Sequence, residues 1–356
     1  MIVIVQPSIE IKSLSYSAIK MFLESRMKFR KKYILKEDVK DDNEHVRLGN
    51  LVDFELTADP SWNENEKDQE WEKQFVLTKA TLPGGQMLDF VEALKKRTRA
   101  AVDPNKFITK SMEELITEAF NDVKYNKAGE EVKFKKKDVQ YVMDEFLDKK
   151  IGYDYYIEFR NSMNKTVVVY DEIESGKTIS KQLLNDSNTY DIFNPEEDPD
   201  VEWFNQFPFE VEIEGYKIRG KADRIKVDHR NKIIKPYDIK VTHKVEIFEW
   251  AYLDDTYYIQ NGVYFYALSE LFPNYYVEPV SFIAADSNAF LRPLVWHTSA
   301  AHARQAIEGF DYRGRHYKGA KEVLREIRWH CEKNEWRISF DNYRNRGNLS
   351  IKEFAI

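Results

Sequence analysis

A mixed α/β fold, a central sheet flanked by helices, is the architecture that this 356-residue sequence predicts. Three observations point there. Tyr216 to Val227 alternates apolar and basic residues as a half-buried strand does, Asp228-His229-Arg230-Asn231 has turn composition, and Lys232 to Val241 reads as a second strand. Phe207 to Glu214 leads into that pair with Val211 and Ile213 alternating against Glu210, Glu212 and Glu214. Beyond Tyr264 the α/β pattern returns, with strands at Val277 to Ala285 and Leu294 to His297 and helices at His302 to Phe310 and Lys318 to Lys333.

In chain order, Ser13 to Leu23 opens with hydroxyl residues suited to capping and continues with Ile19, Phe22 and Leu23 at helical spacing. Between Lys12 and Lys36 stand eight basic residues and one acid, Glu24. Arg47 to Leu56 places Leu48, Leu51, Val52 and Leu56 on one helical face. Asp59 to Gln74 is polar and acidic, and reads as a loop or surface insertion. Leu82-Pro-Gly-Gly-Gln86 is a break. Met87 to Thr98, Ser111 to Val123 and Lys136 to Lys149 then read as amphipathic helices, Lys165 to Tyr170 as a short strand, and the chain through Lys181 and Leu184 as another helix. Two more basic clusters, Lys95-Lys96-Arg97 with Arg99 and Lys133 with Lys135 to Lys137, read singly as solvated faces. Asn194-Pro-Glu-Glu-Asp-Pro-Asp200 is the clearest linker. The expectation is one domain over residues 1–356, with a helical insertion at about 83–195.

Composition narrows the function classes. A hydrophobic fraction of 42% and a charged fraction of 32% fit a soluble globular chain, and no apolar run approaches the roughly 18–20 residues of a membrane helix. Met1 to Pro7 lacks the basic start and small-residue cleavage site of a secretory signal, and Cys331 is the single cysteine, so a reducing, cytoplasmic setting is expected. A net charge of −7 argues against nucleic-acid binding over the whole surface and leaves it to local basic patches. The histidines form no zinc pattern. Ser175-Gly-Lys-Thr178 fails as a phosphate loop because Asp171 stands where the first glycine is needed.

Chemistry concentrates in the two strands. Asp238 and Lys240 project from the same face, with Ile239 expected toward the core and Pro236 marking an edge or bulge. Asp223 comes near them if the strands pair. Converging carboxylates need a proton, a cation or a basic neighbour. They are hard oxygen ligands suited to Mg²⁺ or Mn²⁺, and an adjacent lysine can orient a water, help deprotonate it, or stabilise charge. An Asp-x-Lys triplet alone is common and usually belongs to a solvated hairpin.

Gly220-Lys221-Ala222-Asp223, then Asp238-Ile239-Lys240-Val241-Thr242, then Gln260-Asn-Gly-Val-Tyr264 together resemble the PD-(D/E)xK nuclease superfamily, and more closely its RecB-like, viral exonuclease-like branch. Thr242 stands one place later than in that pattern. The resemblance implies a restriction-endonuclease-like core. It implies Asp223, Asp238 and the carbonyl of Ile239 as metal ligands, Lys240 as the catalytic lysine, and Gln260 and Tyr264 as support for the site or the DNA backbone. In the Arg47–Leu56 helix the family's Gly-x-x-x-His/Glu pattern falls on Gly49 and Asp53, which makes Asp53 a further metal ligand with Glu55 in reserve. Ser25-Arg26 stands where some relatives carry Cys-Pro, so no iron–sulfur cluster is expected. Lys28, Arg30, Lys31, Arg219 and Lys221 are the candidates for DNA contact.

The expected activity is Mg²⁺-dependent DNA hydrolysis, exonucleolytic by resemblance, in recombination, repair or viral (phage) replication. Single- and double-stranded DNA, a recombination or replication partner protein, and the oligomeric state stay open. The alternatives are an endonuclease, an RNA nuclease, and a DNA-binding or assembly protein that keeps an inactive nuclease fold.

Overall fold

The computed structural model describes residues 11, 13–36, 44–58, 61–103, 107–126, 129–162 and 165–348; Lys12 and the Met1–Pro7 segment lie outside them. The described residues fall into two compact units. One lies within 1–35, 184–285 and 291–356, the other within 36–183 and 286–290. Most of the helical block expected at about 83–195, up to residue 183, is therefore part of a unit that begins near residue 36, and 184–195 belong to the first unit. The boundary falls inside the helix Tyr170–Asn185 rather than at the Asn194–Asp200 linker. Ser175 to Thr178 lie within that helix, as befits a sequence that is no phosphate loop.

The first unit is built on a seven-stranded mixed sheet. Its elements are β1 (Ser13–Leu14), α1 (Tyr16–Glu24), β2 (Val201–Ile213), β3 (Tyr216–Asp228), β4 (Ile233–Thr242), α2 (Phe248–Asp254), α3 (Tyr257–Leu271), β5 (Tyr276–Val277), β6 (Ser281–Asp286), β7 (Leu294–His297), α4 (Ala300–Glu308), β8 (Phe310–Tyr312), β9 (Arg315–Tyr317) and α5 (Ala320–Lys333). The sheet runs β1-β3-β4-β6-β7, with β2 added on β3 and β5 on β4. β2 covers one edge of β3 along its length, antiparallel from Val201↔Asp228 to Ile213↔Tyr216. The other edge is shared: β1 pairs in parallel at Lys217 and Ile218, and β4 pairs antiparallel from Arg224 to Asp228. Gly220 to Asp223 sit in the gap between these partners, so β3 and β4 fork apart at that point. Pro236 lies inside the sheet, not at its edge. It supplies no N–H one residue before the last β3–β4 pair, Arg224↔Tyr237.

Helices close over this sheet. The Ser15 side chain caps α1 by accepting from the Ala18 N–H at 3.3 Å, and Ala18, Ile19 and Phe22 form its buried face. α5 buries Val323, Leu324, Ile327 and Cys331, spaced along one helical face. α3 is buried nearly all round, from Tyr258 to Leu268, which makes it the central helix of the unit. It packs so closely on α4 that a Cβ at Gly262 would lie 2.8 Å from that of Ala306. No helix among the described residues is long and apolar enough to cross a membrane.

The β8–β9 hairpin is pinned by charge. His316 Nδ1 lies 2.9 Å from Asp311, and its Nε2 lies 3.0 Å from Glu322 at the start of α5. Asp311 and then Glu322 raise the His316 pKa above the ordinary histidine value. A raised folded pKa gives stability that is full below the unfolded value, about 6.5, and is lost as pH climbs through the folded one. Thermal midpoints measured upward from pH 6 should therefore fall through a component that His316→Gln removes. Identical pH profiles for the two proteins would refute it. The effect is small, since the pair is solvent-screened.

In the second unit, helices Gly85–Ala100, Met112–Lys124 and Tyr153–Asn161 pack around Phe90, Leu94, Ile116, Phe120, Phe146 and Tyr156. Phe75–Leu77 and Thr166–Val168 pair in parallel. Two expectations need correction here. Glu64–Gln74 is a helix, opened by an Asn63–Glu66 capping box, and its nearly all-polar faces left no periodicity to read. Lys95 and Arg99 are interior residues, 1% and 3% exposed, stacked on the Phe159 ring at 5.1 and 4.6 Å, with Lys95 also bonded to Glu92 and the Tyr155 hydroxyl.

Candidate active site

The fork between β3 and β4 gathers the chemistry of the first unit. Past the last ladder pair, the Ile239 N–H loses its strand partner and donates instead to Asp223 Oδ2 at 2.8 Å. A side chain thus ties the strands where their backbones part. One residue earlier Asp238 is 1% exposed. Its Oδ1 accepts from Gln260 Nε2, and its Oδ2 meets Lys240 Nζ without a directed hydrogen bond. Asp238 and Lys240 thus share a face, as strand alternation requires. Ile239 is half-buried and outside the apolar core, contrary to expectation, because the face covered by α3 is the one that carries Asp238.

Gln260 and Tyr264, one helical turn apart on α3, hold that carboxylate. Gln260 Nε2 donates also to the Tyr264 hydroxyl at 3.0 Å, and that hydroxyl donates to the Lys221 carbonyl on β3 at 2.6 Å. The chain of bonds runs from the β3 backbone through α3 to Asp238, and both Nε2 bonds fix the orientation of the amide. Gln260 Oε1 is buried with no hydrogen-bond partner. These two residues position Asp238.

Electrostatics set the trio apart from its surroundings. Burial lifts the Asp238 carboxyl above the ordinary aspartate value, against the pull of Lys240, Gln260 and Asp223. Burial also disfavours the Lys240 ammonium, but the facing Asp238 and Asp223 outweigh this and hold its pKa above the usual lysine value.

Three further residues complete the surroundings. The Tyr257 ring lies under two ammoniums, Lys240 Nζ at 5.1 Å and Lys20 Nζ at 5.2 Å from its centroid. The Tyr16 hydroxyl donates to the Thr256 carbonyl at 3.3 Å, and burial raises its pKa well above the ordinary value. The signal for Tyr257 was available: it precedes Gln260 and Tyr264 by three and seven, the spacing of one helical face. Tyr16 and Lys20 carried no such sign, since their segment arrives from the other end of the chain.

The remaining candidates are scattered. Lys28 and Lys31 are exposed on the turn Arg26–Phe29 and the π-helical turn Arg30–Ile34, while Arg30 is half-buried, its Nε without a hydrogen-bond partner. Arg219 is neutralised by Glu210 directly across the ladder at 2.6 Å, which weakens it as a phosphate ligand. Lys221 is exposed, with no ion pair among the described residues. Asp53 lies half-buried on the helix Glu44–Thr57 of the second unit, where Glu55 pairs with Lys67 at 2.7 Å. Among the described residues no group of three or more His, Cys, Asp or Glu side chains is arranged to hold a metal ion.

No known protein-family profile matches the chain, and no curated protein matches it. Among solved structures, the chain is similar to a candidate exonuclease from Eubacterium rectale at 12% sequence identity, over 97% of this chain and 91% of that one, with a TM-score of 0.45.

Proposed function

We propose that the protein is a metal-dependent nuclease that hydrolyses DNA phosphodiester bonds at the β3–β4 fork. One observation carries this reading: a buried aspartate, a second aspartate and a lysine converge where two strands part, with a glutamine and a tyrosine fixing the buried carboxylate. Hydrolysis at phosphorus needs charge neutralised on the phosphate and a water held in line. The residues fit a hard divalent ion. Asp223 and Asp238 are hard oxygen donors at one spot, with the Lys240 ammonium against Asp238 Oδ2, and the resemblance adds the Ile239 carbonyl. Mg²⁺ or Mn²⁺ held there would supply Lewis acidity toward a phosphate oxygen.

The chain's own residues do the rest. Lys240, kept close by its ion pair with Asp238, presents N–H donors to a phosphoryl oxygen or to the attacking water. Gln260 and Tyr264 keep Asp238 from rotating as charge develops. Lys28 and Lys221, both exposed, would meet phosphates by charge, a contact that weakens with salt. The resemblance favours an exonuclease acting in recombination, repair or phage replication.

End-labelled linear DNA and closed circular DNA, incubated with Mg²⁺ or Mn²⁺, test the reading. Loss of linear DNA alone, slowed about 100-fold by Lys240→Ala in a folded protein, is the expected result. Nicked circles would make it an endonuclease. An intact substrate under every condition, with folding confirmed, would refute it for DNA.

A further inference from the structure

We infer that the first unit carries a pocket for an unpaired nucleobase of the DNA strand, formed by α2, β6, β7, α4 and the β8–β9 hairpin. The inference rests on the nuclease reading and names a contact that the fork does not make. The cavity measures about 430 Å³, and its walls are rings: Trp250, Tyr252, Phe282, Trp296, Phe310 and Tyr312. Small-ligand sites have this size and composition. Two of the rings remain open to solvent, Trp250 at 42% and Tyr312 at 41% exposure. Rings left exposed at a cavity mouth cost solvation and gain it back by stacking on a flat partner.

Charge identifies the partner. Arg313, at the hairpin tip, lies 5.1 Å from the Trp250 ring centroid and 5.2 Å from that of Tyr312. Among the described residues it has neither an ion pair nor a hydrogen bond. A guanidinium held over two rings without an acid suits a ligand with an aromatic plane and an attached phosphate, the constitution of a nucleotide unit. The acids nearby do not cancel it: Asp311 is engaged by His316 at 2.9 Å, and Glu249 at the wall is an acceptor for an exocyclic amine.

Position links the pocket to the fork. Phe248 forms one wall and stacks on Tyr257, centroids 5.5 Å apart and planes at 11°, and Tyr257 lies under Lys240. A single pair of stacked rings thus separates the pocket from the catalytic lysine. That proximity favours a base of the bound strand over a free nucleotide. A base drawn in there must leave its own helix, so the pocket takes a strand that is already single or has been opened at its end.

Anisotropy of a short labelled single-stranded DNA, titrated in EDTA to suppress turnover, tests this, beside the same strand with abasic positions. Trp250→Ala should weaken binding of the base-bearing strand roughly 5- to 150-fold and leave the abasic strand unchanged. Arg313→Ala should lower the salt dependence of binding by about one charge. Both positions are exposed, so the variants should keep the wild-type melting point. Wild-type affinity in both variants, equal losses on the two strands, or no binding of single strands by the wild type would each overturn the pocket. A Trp250-dependent affinity in a protein that cleaves nothing with Mg²⁺ or Mn²⁺ would support the pocket and refute the nuclease reading.

Discussion

Asp238→Ala is expected to abolish metal-dependent cleavage, by roughly 10³-fold or more, and to destabilise the first unit at the same time. The second effect follows from burial. Lys240 is charged and largely inside the protein, and Asp238 is its closest counter-ion. Removing one member of a buried pair strands the other, at about 3–5 kcal/mol. Asp223 also faces Lys240, so the low end of that range is expected. Urea unfolding measures the loss. The double variant Asp238→Ala/Lys240→Met should recover most of the stability and none of the activity, which separates the structural from the chemical role. An Asp238→Ala protein with wild-type stability and turnover would refute both claims. In the wild type, Mg²⁺ should raise the melting temperature by mass action, and the single variant should lose that response.

Gly220→Ala should cost about 1–3 kcal/mol and slow cleavage as well. A Cβ at position 220 would stand 2.3 to 2.9 Å from three atoms of the Phe209 ring. The ring cannot retreat freely: Phe209 is 5% exposed and meets Tyr264 edge-on, with centroids 5.1 Å apart. Displacing it presses on the tyrosine whose hydroxyl ties Gln260 to the Lys221 carbonyl. The glycine three residues before Asp223 therefore has a packing reason, because an aromatic ring from the neighbouring strand occupies the space of its side chain. Chemical denaturation together with kcat decides the matter. A stable variant with unchanged kcat would show that the ring has room to move.

The hairpin and the α3 face were legible because their signals are local. Strand alternation put Asp238 and Lys240 on one side, and a four-residue helical spacing put Gln260 beneath Tyr264. Elements whose signal is masked or distant were not legible. β2 begins at Val201, six residues before the expected Phe207, because Asn205, Gln206 and Pro208 interrupt its pattern, and Gln206 takes a positive φ of 50°. Arg219 looked like a phosphate ligand until register placed Glu210 across from it. The Glu64–Gln74 helix is held by caps and ion pairs rather than by an apolar stripe. Tyr16 and Lys20 reach the site through pairing over more than two hundred residues, which no window of sequence reports.

That same pairing bears on how the chain is made. β1 joins β3 through Ser13↔Lys217 and Leu14↔Ile218, so α1 leaves the ribosome about 200 residues before the strand it docks against exists. At roughly 5–20 residues per second this wait lasts on the order of 10–40 s. Meanwhile the intervening unit, continuous over most of its length, can close on contacts of its own. The apolar face of α1, Ala18, Ile19 and Phe22, stays uncovered through that interval. Nascent chains halted before Lys217 should therefore present a protease-sensitive leading helix and a chaperone-binding surface, both of which vanish only once α5, whose His330 ring meets Phe22, has also emerged.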